Sequence, residues 1–282
     1  MTFPFLRAAL VALAAALGAG GAAARQLMDL AYGPAERQKL DVYLPDRSAP
    51  GGAPILVMVH GGAWMFGKKT APGVVGAKRE RWNGEGWIFV SVDNRLLPEA
   101  DALTQADDVA AALAFVQKQA PGWGGDPKRL VLMGHSAGAH LVSLVDVATD
   151  LAARAGVQPW LATVSLDGGA LDLANLMSRP HARFYDRVFG ADPAFWRQVS
   201  PADRVQPGAP PLLLVCSSTR RGDPCAENQR FAERARAQGV SARVLPQALS
   251  HAEINADLGK PGPYTDAVAA FIDEVMTRGN PR

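Results

Sequence analysis

Residues 134–138 read Gly-His-Ser-Ala-Gly, after an apolar run at 129–133 and before a stretch with helical periodicity from Ala137. A hydroxyl placed between glycines at a strand-to-helix turn either caps the helix or acts as a nucleophile. G-x-S-x-G in this setting is the signature of the second use. The tight turn holds Ser136 in a strained backbone conformation with its Oγ exposed. A serine attacking an acyl group needs N–H donors for the developing oxyanion. Residues 59–68, VHGGAWMFGK, follow another buried, strand-like run and supply small residues past which backbone N–H groups can approach. Gly62 and Ala63 are the expected oxyanion donors here, joined by Ala137 directly after the serine. This is not a phosphate loop, because it lacks G-x-x-x-x-G-K-[ST] and no helix begins there.

The serine also needs a base. With a turn of this kind the chain order is serine, acid, histidine. Of the five histidines, His60 belongs to the oxyanion segment, His135 points away from Ser136, His140 packs one helical turn later, and His181 lies in an insertion. His251, after the last strand-like run, is left as the base. The acid is expected after the run at 211–218, where Asp223 stands just before a helix; its rivals are Asp167 and Asp172, after the preceding run. The acid fixes the imidazole tautomer and stabilises the imidazolium. Cys216 and Cys225, the only cysteines, bracket Asp223. They are expected to pair and steady the acid loop.

The elements that must carry these groups follow from periodicity. Strand-like runs at 40–44, 55–60, 87–95, 129–134, 162–168, 211–218 and 241–247 alternate with helical stretches at 107–120, 137–151, 227–239 and 263–278. That alternation implies an α/β fold with a mostly parallel sheet and helices on both faces. No repeat or low-complexity linker divides residues 25–282, so a single domain is expected. Residues 173–199, rich in aromatics, suit a short helical cap. The pair Asp107/Asp108 and the segment 93–100 read as a structural tie near the oxyanion segment, not as a metal site.

Composition narrows the function classes. The 282 residues are 48% hydrophobic and carry a formal charge of +2, ordinary for a globular enzyme. No basic run marks a nucleic-acid footprint. Residues 1–24 contain one charge, Arg7, then an apolar stretch and small residues, the pattern of a signal peptide with cleavage near Ala24. Export to the periplasm or beyond is therefore expected, with no stable membrane insertion of the mature chain. In an oxidising compartment the two cysteines read as a disulfide. No Cys/His cluster suggests a metal. Oligomeric state is left open.

On these residues the chain resembles an α/β-hydrolase of the esterase/lipase type. It is similar to the hormone-sensitive-lipase-like esterases and to the group containing feruloyl esterases and arylformamidases. The matching segments are HGGAW (60–64), DNRLLPEA (93–100) with DDVAAAL (107–113), GGDPKRLVLMGHSAGAH (124–140), SPADRVQPGAPPLLLV (200–215) and SHAEIN (250–255). The resemblance implies hydrolysis of a small-molecule carboxylic ester or amide through an acyl-enzyme, without a cofactor. Ala63 and Trp64, where the lipase-like pattern has a third glycine, bring the loop closer to the feruloyl-esterase and arylformamidase side. A formamidase or amidase with the same triad is the alternative within enzymes; a non-catalytic binding protein of this fold is the alternative outside them. Ser136→Ala is expected to fold normally and to lose turnover on the order of a million-fold. A folded Ser136→Ala protein that hydrolyses esters at near-wild-type rate would remove the nucleophile assignment.

Overall fold

In a computed structural model, described over residues 26–47 and 50–278, the strands are β1 (Gln26–Ala31), β2 (Lys39–Tyr43), β3 (Ala53–Val59), β4 (Ile88–Val92), β5 (Gly125–His135), β6 (Ala162–Leu166), β7 (Leu212–Ser217) and β8 (Ala242–Gln247). They form one eight-stranded sheet in the order β1-β2-β4-β3-β5-β6-β7-β8. β1 and β2 are antiparallel additions at one edge; from β4 to β8 every pairing is parallel. The helices are α1 (Pro72–Gly84), α2 (Ala102–Gln119), α3 (Ala137–Val147), α4 (Thr149–Arg154), α5 (Leu173–Met177), α6 (Phe184–Phe189), α7 (Pro193–Val199), α8 (Pro224–Ala237), α9 (His251–Ala256) and α10 (Pro263–Arg278).

The parallel strands are buried on both faces, and the period of two sorts their side chains between two cores. Ile55, Val57 and Val59 of β3 pack with α2 and α3. Leu56 and Met58 pack with Trp82 of α1 and Phe271 and Ile272 of α10. A smaller cluster joins Leu212 and Leu214 of β7 to Phe231 of α8. This sandwich fixes the ends of β3, β5, β6, β7 and β8, whose C-terminal loops meet at one edge of the sheet.

Three elements were not anticipated. β1 shows no simple alternation of buried and exposed residues. α1 contains Gly73, Gly76 and Gly84 and has an almost unsegregated surface; Trp82 and a buried Lys78 hold it in place. α9 is one short turn-and-a-half, closed by a Ser250/Glu253 capping box. The helix expected at 137–151 breaks at Ala148 into α3 and α4. The 173–199 insertion forms the three short helices α5, α6 and α7. The expected export segment, residues 1–24, lies outside the described residues. No helix among the described residues is long and apolar enough to cross a membrane.

Cys216, in β7, and Cys225, in α8, form a disulfide with Cα atoms 5.2 Å apart. It closes the loop joining one strand to the next helix. In the chain-entropy account, a loop of this size contributes about 2–3 kcal/mol. The Cys216→Ser/Cys225→Ser protein should lose about that much stability in urea titration while keeping its far-UV circular dichroism. An unchanged midpoint would show that the bridge adds nothing to the folded state.

Candidate active site

Ser136 sits between β5 and α3 with φ 56°, ψ −116°, a region that costs a non-glycine residue of order 1–3 kcal/mol. Its neighbours enforce this conformation. A Cβ on Gly138 would lie 2.4 Å from the His60 carbonyl oxygen, so only glycine lets α3 approach the end of β3 this closely. The Ser136 N–H donates to the Leu166 carbonyl at 3.0 Å, which ties the turn to β6.

The oxyanion segment leaves β3 beside this turn. Gly62 has φ 134°, and a Cβ there would lie 2.1 Å from the Phe66 carbonyl oxygen. Ala63 and Trp64 follow with φ 52° and 59°. Phe66 N donates to Gly62 O at 2.8 Å, closing the loop on itself. Among the described residues, the N–H groups of Gly62, Ala63 and Ala137 donate to no protein oxygen. Ala63, Trp64 and Ala137 line the same cavity as Ser136. The expected tie behind the loop is present. Asp93 Oδ1 accepts from Lys69 N at 2.8 Å, Arg95 pairs with Asp108 at 2.6 Å, and Gln105 donates to the Trp64 carbonyl at 3.0 Å. Asp107 stays at the surface, 3.9 Å from Arg154.

His251 opens α9 and faces the cavity. Its Nδ1 lies 2.5 Å from Asp167 Oδ2. A carboxylate only accepts, so Nδ1 carries the proton and Nε2 is left as the basic nitrogen. Asp167 is fully buried. Its other oxygen accepts from Ser217 N at 2.9 Å, and Arg220 Nη1 lies 2.9 Å from Oδ2. Burial pushes the Asp167 carboxyl up, but the hydrogen bonds from His251 and Ser217 and the Arg220 charge outweigh it and hold it below the usual range.

Asp223 does not meet His251. Its side chain, exposed to solvent, accepts from Ala226 N at 3.1 Å and caps α8. This corrects the expectation that Asp223 is the acid. Asp167 immediately follows β6, and its own N–H donates to Val215 O at 2.8 Å, so strand pairing holds it beside Ser136. Asp223 lies six residues beyond the end of β7, where the N-terminus of a helix claims its carboxylate. The signal was in the sequence: Asp followed by Pro is an N-cap with Pro at the first helical position. The disulfide therefore braces a loop that carries Arg220 and Arg221 and ends on a cap. Arg220, against both Asp167 and His251 Nδ1 (2.9 Å from each), was not singled out from the sequence.

Two further histidines support the site. Burial pushes His135 down to about 3. Its neutral ring packs 4.5 Å from that of His251, and its Nε2–H donates to the His251 carbonyl at 2.9 Å. Lys78 Nζ donates to both the carbonyl and side-chain oxygens of Asn255, tying α9 to α1. Around Ser136 the cavity, about 720 Å³, is lined by Trp64, Phe184 and Tyr185 and by Arg220, Arg221 and Gly222 of the loop after β7. No group of three or more candidate metal ligands occurs among the described residues.

With this geometry the sequence comparisons fall into place. The BD-FAE family profile matches residues 40–233, more than half the chain. The chain belongs to the BD-FAE family. It is 30% identical over 260 residues to esterase LipC of Mycobacterium tuberculosis, covering 86% of this chain and 64% of LipC. It is 35% identical over 152 residues to kynurenine formamidase of Danio rerio, covering 54% of this chain and 48% of that protein. The chain thus spans less than two thirds of the length of these relatives. A truncated carbohydrate esterase from gut microbiota superposes with a TM-score of 0.77 at 18% identity, over 90% of this chain and 96% of the other. That likeness shows the α/β-hydrolase fold.

His140 is a structural link of the site, as the sequence indicated. It is fully buried on α3; its Nε2–H donates to Val199 O at 2.7 Å and its Nδ1 accepts from Trp64 Nε1 at 3.2 Å. Burial pushes it down to about 4. Below pH ~6.5 the unfolded chain takes up a proton that the folded ring refuses until about pH 4, so stability falls through that window. Between pH 7 and pH 5 the folded protein should lose about 2 kcal/mol from this group. His140→Gln should flatten the pH dependence of urea midpoints by that amount; an equally steep loss in the variant would refute it.

Proposed function

We propose that the protein is a serine carboxylesterase working through an acyl-enzyme, with Ser136 as nucleophile, His251 as base and Asp167 as the acid that orients it. The observation that carries this reading is the 2.5 Å contact between His251 Nδ1 and the buried Asp167 carboxylate, in the cavity that also exposes Ser136. The esterase and formamidase relatives support it.

In this mechanism Ser136 Oγ attacks the substrate carbonyl carbon and its proton passes to His251 Nε2. The carbonyl oxygen takes the negative charge and is met by N–H groups of Gly62, Ala63 and Ala137. Each such donor contributes about 3 kcal/mol to the transition state. The intermediate collapses, the carbonyl re-forms, and the alcohol leaves with the proton from His251. A water molecule then attacks the acyl-enzyme, with His251 again taking the proton, and Ser136 is released. No hydrogen bond joins Ser136 Oγ to the imidazole among the described residues. Such contacts commonly tighten only when substrate is bound. Asp167 stays ionised throughout and stabilises the imidazolium.

Export to the periplasm or beyond forms part of the proposal. It is supported by the disulfide, which fits an oxidising compartment, and by the signal-like pattern of residues 1–24.

A fluorophosphonate probe should label the wild type and not Ser136→Ala. Asp167→Asn should lower kcat for a p-nitrophenyl ester by about 10⁴, because the tautomer is no longer fixed. Asp223→Asn should keep nearly full activity, since Asn caps a helix about as well as Asp. The reverse order of effects would return the acid to Asp223.

A further inference from the structure

The charge lining the cavity is unbalanced, and this bears on which esters the site takes. Arg179, between α5 and α6, and Arg221, in the loop after β7, both line the cavity that exposes Ser136. Among the described residues neither is in ion-pair contact with a carboxylate, whereas other arginines find partners: Arg204 with Asp150, Arg234 with Asp172, Arg243 with Glu274. Arg179 uses only its Nε, donating to Asn175 O at 3.0 Å, and so keeps its terminal nitrogens for another acceptor.

The anions of the cavity do not compensate. Asp167 is already satisfied by His251, Arg220 and Ser217 N. Glu227 accepts from Leu171 N at 2.8 Å, and burial pushes its carboxyl up, toward the neutral form. His181, also in the cavity lining, has its own carboxylate, Asp186, at 3.0 Å. Two guanidinium groups therefore line the substrate space, Arg179 with the four N–H donors of its terminal nitrogens left and Arg221 with five, in a fork that matches a carboxylate. Arg221 is held within the loop that the Cys216–Cys225 bridge closes.

We propose that Arg179 and Arg221 recognise a carboxylate carried by the substrate away from the bond that is cleaved, so that the preferred substrates are carboxylate-bearing esters. This rests on the ester-hydrolase reading above. The recognised chemistry is the same whether the carboxylate belongs to the acyl or the alcohol portion, and the experiment separates the two.

The test uses two matched pairs of substrates. The monoadipate of p-nitrophenol is compared with p-nitrophenyl hexanoate, which places the charge on the acyl side. The second pair is 4-acetoxybenzoate and its methyl ester, which places the charge on the alcohol side. In at least one pair the wild type should prefer the charged member in kcat/KM. In Arg179→Gln/Arg221→Gln the charged-to-neutral ratio should fall about tenfold, the effect expected of losing charge-assisted hydrogen bonds. A wild-type measurement keeps the test independent of how the variant folds. Because the two arginines are exposed, raising salt to about 0.5 M should lower the same ratio by screening. Preference in the first pair assigns the carboxylate to the acyl side and in the second to the alcohol side. A ratio near one in both pairs, or a ratio indifferent to both the substitutions and salt, overturns the inference while leaving ester hydrolysis standing. If none of the four compounds is hydrolysed, the esterase reading fails and the inference fails with it.

Discussion

Where β5 turns into α3, the chain is packed so tightly that the backbone of Ser136 has no relaxed alternative. α3 approaches the end of β3 so closely that the carbonyl of His60 occupies the space a side chain at position 138 would need. The turn is anchored on its other flank to Leu166. The strain at Ser136 is therefore maintained by one sheet of apolar strands packed on both faces, and the stiffness of that sheet is what aims the hydroxyl. The oxyanion segment, which leaves β3 at the same place, inherits the same rigidity. Nucleophile and N–H donors are thus set by one crowded junction, which is what preorganisation requires.

His251 and Asp167, proposed as base and acid, reach this junction by different routes. Asp167 is the residue after β6, and β6 pairs with β5 up to His135. Its position is fixed by strand register and by a hydrogen bond to β7. His251 comes from a short helix whose own contacts are few, and it needs help: His135 holds its carbonyl, Lys78 holds Asn255 four residues on, and Ser250 caps the helix. A neutral His135 suits this role, because a charged ring packed against His251 would oppose the imidazolium of the proposed mechanism.

Much of this was legible in the chain. Continuous β-branched runs announced the parallel strands, and G-x-S-x-G with its flanks announced the turn. His251 followed by position, since the other histidines stood where they had other work. The cysteine pair followed from spacing and the signal-like pattern of residues 1–24. The sequence ranked Asp223 ahead of Asp167 and Asp172, and the structure brings Asp167 to His251 instead. Asp167 and Asp223 both follow strands that end at the same edge. The difference lies in which carboxylate is already spoken for, and that required reading Asp-Pro as a helix cap. α1 was hidden for another reason. Its glycines and mixed surface give a weak local signal, and its helix is held by tertiary contacts of Trp82 and Lys78. Arg220 carries no local signature; only the fold brings it to the imidazole.

The position of Asp167 at a strand end also divides the labour between the parts of the fold in a way that bears on its evolution. An acid carried by the loop after β7 would bind that loop's length and composition to the chemistry. Here the loop is closed on itself by the cystine and contributes arginines to the cavity wall, while the acid is held by the sheet. Residues 218, 219, 221 and 222 are exposed and can be exchanged without moving the Asp167 carboxylate. On the proposed esterase reading, the loop is a site where new substrate preferences can arise by substitution at small cost to the chemical step, and the natural place to randomise in directed evolution.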